Sequence, residues 1–231
     1  MASLLTFWLP LALVLFSWEA VLLNPGRIGL WFGVCLIAAA VIAWRACSGV
    51  LDRLSVLLFL AGVFWWGLWI DFATIKFALP VFIAAAFAYV LSSPSRTHLA
   101  LFLGGVFFWS SIAFGLVTVL GRGLWESLIV FLAVYGVFVR AATVHSRSGA
   151  AFPFSLYVVL LLVAAEVFSV LVWLPFTEVT LGLIATAALL FFYDVAKYIA
   201  DPALIRRKIV IKKVLVYAAF VVLVLASTPW Q

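Results

Sequence analysis

Long apolar runs separated by short polar breaks set the pattern of this chain. Nine stretches, approximately 4–23, 28–44, 54–70, 77–92, 99–120, 124–140, 154–173, 179–195 and 209–227, reach or approach the length of a membrane helix. A helix rising about 1.5 Å per residue needs roughly 20 residues to cross a hydrocarbon core of about 30 Å, and about 17 is the lower limit. The breaks carry turn formers or charge, as at Asn24-Pro25-Gly26-Arg27, Gly121-Arg122-Gly123 and Leu174 to Glu178, and none has the length of an extramembrane domain. Open sheets leave edge amides unsatisfied in lipid, and the runs lack the period-two alternation of a barrel wall. The pattern therefore predicts an all-α fold, a polytopic membrane helix bundle of about nine transmembrane helices, in one transmembrane domain over residues 1–231.

Composition removes the soluble alternatives. The chain is 69% hydrophobic and 10% charged, whereas soluble domains run at about half apolar and a quarter charged. Two cysteines, two histidines and one methionine are too few for a disulfide scaffold, a multi-histidine metal or haem site, or a methionine-rich groove. No cofactor and no metal is expected. The net charge of +6 comes from cations set mostly singly between apolar runs, which argues against the basic face of a nucleic-acid binder. The first twenty residues lack a basic leader and a small-x-small cleavage site, so they read as a retained first span.

Loop charge assigns an orientation. Arg45, Arg53, Arg96, Arg140, Arg147, Lys197, Arg206, Arg207, Lys208, Lys212 and Lys213 are eleven cations on the side of the amino terminus, against Arg27, Lys76 and Arg122 on the other. The positive-inside rule places the amino terminus in the cytoplasm and, with nine spans, the carboxyl terminus outside. Tryptophans and tyrosines at predicted helix ends, including Trp44, Tyr135, Trp173 and Tyr193, match the aromatic belts of the two interfaces. Short loops and the lack of a targeting domain point to a bacterial inner membrane.

A repeat is also visible. Phe16-Ser17-Trp18-Glu19, Phe64-Trp65-Trp66-Gly67, Phe108-Trp109-Ser110-Ser111 and Glu166-Val167-Phe168-Ser169 fall near the middle of alternate helices. From Trp18, Trp66, Trp109 and Phe168, an aromatic closing the next helix follows after 26, 23, 26 and 25 residues. The spacing describes four tandem helical hairpins, 4–44, 54–92, 99–140 and 154–195, and a final helix, 209–227; chance similarity among aromatic-rich helices is the competing explanation.

Few residues carry chemistry. Glu166 lies about 18 Å along its helix, near mid-membrane, where an acid is a functional candidate by default and hydrogen-bonded structural glue is the alternative; Ser17, Ser110 and Ser111 are its candidate partners. Glu19 sits one turn from a helix end, within reach of interfacial water. Trp65, Trp66 and Trp109 are mid-helix, against the interfacial habit of tryptophan, so they are either helix packing or a ligand surface. Asp194 and Lys197, three residues apart, face the same side of a helix and are expected to pair. Asp201-Pro202 reads as an N-cap acid and first-turn proline opening a short helix. Beyond it, Arg206, Arg207, Lys208, Lys212 and Lys213 form a basic cluster that attracts anionic lipid at the cytoplasmic face, at about 1 kcal/mol each. Phosphate-binding, zinc-protease, nucleophile-elbow and serine–histidine intramembrane protease patterns are missing from the sequence.

Ala165-Glu166-Val167-Phe168, Trp173-Leu174-Pro175-Phe176 and the terminal Ala226-Ser227-Thr228-Pro229-Trp230 give the carboxyl-terminal third a resemblance to uncharacterised bacterial multi-pass membrane proteins. The resemblance implies that an acid followed by a Trp-Leu-Pro turn is a shared feature, and it implies no activity.

Three function classes follow. One is a carrier or binding protein for a small apolar or lipid-like molecule, with the aromatic clusters as pocket and Glu166 as polar fixture. The second is a structural subunit of a membrane complex, packed against membrane protein partners. An intramembrane enzyme is the least supported, because acid–base catalysis needs two convergent groups and one is found. The orientation has a direct check: with the native cysteines replaced, cysteines at Ser95 and Arg147 are expected to be shielded from an impermeant thiol reagent in intact cells, and one at Gly123 to be labelled. The reverse labelling overturns the topology.

Overall fold

In hydrocarbon a backbone amide finds no partner but its own helix, so an apolar stretch of this length folds as an α-helix. The computed structural model describes residues 25–47, 49–68, 94–144, 152–205 and 207–227, together with Ala12, Phe16 and Ala20. Seven α-helices lie among them: α1 (Ile28–Ala46), α2 (Val50–Leu68), α3 (Pro94–Thr118), α4 (Leu124–Val144), α5 (Phe154–Leu171), α6 (Glu178–Ala200) and α7 (Arg207–Ser227). The six from α2 to α7 are long and apolar enough to cross a membrane, and α1 contributes a shorter apolar stretch, Ile28–Val41. The protein is a multi-pass, all-helical membrane protein. The described residues thus support seven helices and six spans instead of nine; the predicted spans 4–23 and 77–92 lie outside the described residues, apart from Ala12, Phe16 and Ala20.

The chain divides into two compact units, residues 1–101 and 102–231. In the first, α1 and α2 pair across a short corner. Phe32 of α1 meets Phe64 at 5.3 Å and Trp65 at 5.9 Å between ring centroids. At the corner the Arg53 side-chain Nε–H donates to the Cys47 carbonyl at 2.9 Å, and its guanidinium lies 4.2 Å from the centre of the exposed Trp44 ring. This pairing joins the second and third predicted spans, which the repeat assigns to different hairpins. Residues 69–93 of the second hairpin and, but for three isolated positions, 1–24 of the first lie outside the described residues.

In the second unit, α3 (from Phe102), α4, α5 and α6 share an aromatic core. Phe168 stacks on Phe114 at 4.6 Å and on Phe131 at 5.3 Å, and Phe102 meets Tyr193 at 4.9 Å. Tyr135 and Tyr193, expected at an interface, are buried in this core instead. Packing with neighbouring aromatic faces outweighs the pull of water on a single hydroxyl.

Glycine decides how closely these helices approach. A methyl at Gly105 would collide with the Phe138 ring, and one at Gly182 with the Ser111 side chain. Gly121 adopts φ +60° between α3 and α4, where the Arg122 N–H closes the end of α3 on the Leu116 carbonyl at 2.8 Å; a left-handed residue is inexpensive only for glycine. Thr177 caps α6, its hydroxyl accepting from the Thr180 N–H at 3.4 Å. The predicted short helix after Asp201 is a single 3-10 turn, Pro202–Leu204, with the Asp201 carboxylate accepting from the Ala203 N–H at 3.2 Å.

Gly182→Ala is expected to destabilise the protein by about 1 to 3 kcal/mol, because the added methyl overpacks a close crossing. Gly33→Ala, where nothing lies within 4 Å, is expected to be neutral or slightly stabilising. Thermal unfolding in a mild detergent separates the two.

Candidate functional site

Three places in the second unit hold the polar candidates that the sequence singles out. The first is the crossing of α3 and α6. Ser110 and Ser111 are both fully buried there. The Ser110 hydroxyl lies 3.1 Å from the Phe107 carbonyl and 3.3 Å from the Gly182 carbonyl, and the latter also accepts from the Thr186 hydroxyl at 2.7 Å. Ser111 fills the space a side chain on Gly182 would occupy, and its own hydroxyl has no partner among the described residues. These serines lock two helices together and do not meet Glu166.

The second is the contact of α6 with α7. Lys213 Nζ donates to Asp194 Oδ2 at 2.8 Å, and the Tyr217 hydroxyl donates to the same oxygen at 2.8 Å. Lys213 also lies 5.5 Å from the centre of the Tyr198 ring. Four residues separate Lys213 from Tyr217, so one turn of α7 presents both donors to a single carboxylate. The expected Asp194–Lys197 pair is replaced by this contact; Lys197 lies 5.5 Å from the centre of the Tyr193 ring. A neighbouring helix offers Asp194 two donors, one charged, where its own helix offers one. The pair is only partly dry, with Lys213 41% and Asp194 14% exposed. It matters because α7 is otherwise poorly held: 6% of its span is buried, against 61% for α3.

Two apolar grooves flank α7. One, of about 230 Å³, is lined by residues that include Leu103 of α3, Leu183 and Leu190 of α6, and Val216, Tyr217 and Phe220 of α7. The other, of about 460 Å³, runs past Ala188, Phe191 and Phe192 of α6 and Val214, Val221 and Val222 of α7. Ala187 and Tyr217 belong to both. At the amino end of α7, Lys208 and Lys212 are exposed, while Arg206 and the side chain of Arg207 lie outside the described residues.

The third place is Glu166. Only 22% of the α5 span is buried, through Leu160, Ala164, Phe168 and Leu171. Glu166 is two residues from Phe168, about 200° around the helix, so the helix that points Phe168 inward points Glu166 outward. It is exposed, and no hydrogen bond or ion pair holds its carboxyl among the described residues. It lies about 18 Å from the amino end of α5 and about 8 Å from the carboxyl end.

The remaining candidates resolve simply. Glu19 and Ser17 lie outside the described residues. Trp65 packs on Phe32, Trp66 is buried in the first unit, and Trp109 is half-buried on α3. Trp65 thus makes a contact between α1 and α2, and the two grooves described above lie beside α7. Residues whose part sequence reasoning missed are Tyr217 and Gly182; a tyrosine one turn beyond a lysine was the available signal for the first. At the α1–α2 corner, burial and then the nearby Asp52 carboxylate raise the Cys47 thiol above its ordinary range, with Arg53 opposing. Among the described residues no group of three or more histidine, cysteine, aspartate or glutamate side chains gathers as a metal site. Compared with protein-family models, curated proteins and solved structures, the chain finds no match.

Asp194→Asn removes the countercharge of Lys213 and is expected to loosen α7. In a double-mutant cycle with Lys213→Met, the coupling is expected to be about 1 kcal/mol, the upper range for a half-exposed pair. Additive losses in thermal unfolding would show that the pair does not hold α7.

Proposed function

We propose that this protein binds or carries a lipid-like apolar molecule in a bacterial inner membrane, with its amino terminus cytoplasmic and, across nine spans, its carboxyl terminus outside. The observation that carries the reading is the pair of apolar grooves along α7. A helix in contact with its protein on one narrow seam leaves furrows on both sides, and an acyl chain fills a furrow of that shape. Lys212 precedes Val216 of the first groove by one turn, about 6 Å, so it supports recognition of an anionic headgroup by Lys212 and Lys208 while the chain lies against Val216 and Phe220. Arg206, Arg207 and Lys213 add to the basic field at that end.

Native mass spectrometry of gently extracted protein tests this. Anionic phospholipid is expected to stay bound, with the bound fraction falling in Lys208→Gln/Lys212→Gln and in Val216→Trp, which fills the groove. Protein that carries no lipid, or lipid retention indifferent to both changes, overturns the reading.

A further inference from the structure

In the first unit, Arg53 is held in place twice. Its Nε–H donates at 2.9 Å to the carbonyl of Cys47, the residue that caps the carboxyl end of α1, where helix carbonyls lack intrahelical partners. Its guanidinium carbon lies over the exposed Trp44 ring, 4.2 Å from the ring centre. Neither contact consumes an Nη donor, and among the described residues the Nε bond is the one hydrogen bond of this group. Two Nη donors side by side match a pair of phosphate oxygens. The neighbouring Asp52 is buried, its carboxylate turned toward Gly49. The acids outside the described residues are tethered elsewhere. Glu19 is three residues from Phe16, whose ring meets Trp31, about 20 Å along α1 from Trp44. Asp71 is three residues beyond Leu68, about 22 Å along α2 from Arg53. Three residues reach at most about 11 Å.

The surface leading away from this fork is apolar. Leu30, Ile37, Val41 and Trp44 are exposed and lie within about 60° of one another around α1, in a stripe about 21 Å long that ends at the Arg53 guanidinium. We propose that the α1–α2 corner is a site for an anionic phospholipid, the Nη groups of Arg53 binding its phosphate and an acyl chain lying along Leu30, Ile37, Val41 and Trp44. A soluble phosphate would use the fork and leave the stripe bare, and an apolar helix would cover the stripe and leave the fork without an anion. An anionic phospholipid carries both chemistries in one molecule. Trp44 joins them, because an indole is at home where hydrocarbon meets headgroups. The site belongs to the first unit and does not rest on the grooves beside α7.

Photolabelling of the full chain in phosphatidylcholine bilayers tests the proposal. The probe is a trace of phosphatidylglycerol with a diazirine near the ester end of one acyl chain, and adducts are mapped by mass spectrometry. Adducts at Val41 and Trp44 are expected to exceed those from a phosphatidylcholine probe with the same chain by about fivefold, the preference one interfacial cation gives. Arg53→Gln is expected to bring that ratio to about one, and Arg53→Lys, which keeps the charge and loses the fork, to about two. Adducts on α7 stay unchanged in both variants, and unchanged thermal unfolding checks that the corner remains folded. The comparison of the two probes on the unaltered chain decides without any variant. Equal labelling by the two probes, absence of adducts at Val41 and Trp44, a ratio indifferent to Arg53→Gln, a full ratio in Arg53→Lys, or displacement of the probe by excess inorganic phosphate each overturns it.

Discussion

Hydrocarbon supplies no hydrogen-bond partner, and each distinctive feature of this protein is an answer to that constraint. The backbone answers it by closing its amides within helices. Side chains answer it one at a time. Ser110 and Thr186 both rest on the Gly182 carbonyl, and Asp194 takes two donors from α7. In both cases the polar contact falls where two helices meet, because the hydrophobic effect provides no attraction between apolar helices in lipid and a hydrogen bond or close packing must provide it.

The two contacts differ in what they secure. At Gly182 the missing side chain brings α3 and α6 close, so the bond is supported by dense packing and by the aromatic core around Phe102, Phe114 and Phe168. At Asp194 the packing is thin, since little of α7 is buried, and the carboxylate carries more of the attachment. The α3–α6 crossing is thus the tighter of the two attachments.

Helix existence was legible because span length is dictated by the thickness of the bilayer, and each of the seven described helices overlaps a predicted stretch. The ends were less so. Hydropathy stops at Val195, yet α6 continues through Ala200 until Asp201-Pro202 turns the chain, because polar and aromatic residues at a membrane edge are still good helix residues. The clasp was missed for a related reason: local spacing finds the i, i+3 partner Lys197 but is blind to a donor on the next helix. Burial of Tyr135 and Tyr193 was hidden likewise, since an interfacial tyrosine and a core tyrosine look the same in one dimension.

The orientation of Glu166 was the least legible feature, and the cause is physical. Faces are read from sequence by contrast between apolar and polar positions, but α5 is apolar all round apart from Ser155, Tyr157, Glu166 and Ser169. What orients it is shape: Phe168 fits between Phe114 and Phe131, and Leu160 and Ala164 fill the same side. Glu166 then points outward as a geometric consequence of Phe168 pointing inward. An acid in a span is commonly read as facing its own bundle, on the premise that the interior is where partners are. Here the aromatic core has taken that side, and the carboxyl is left on the exposed one.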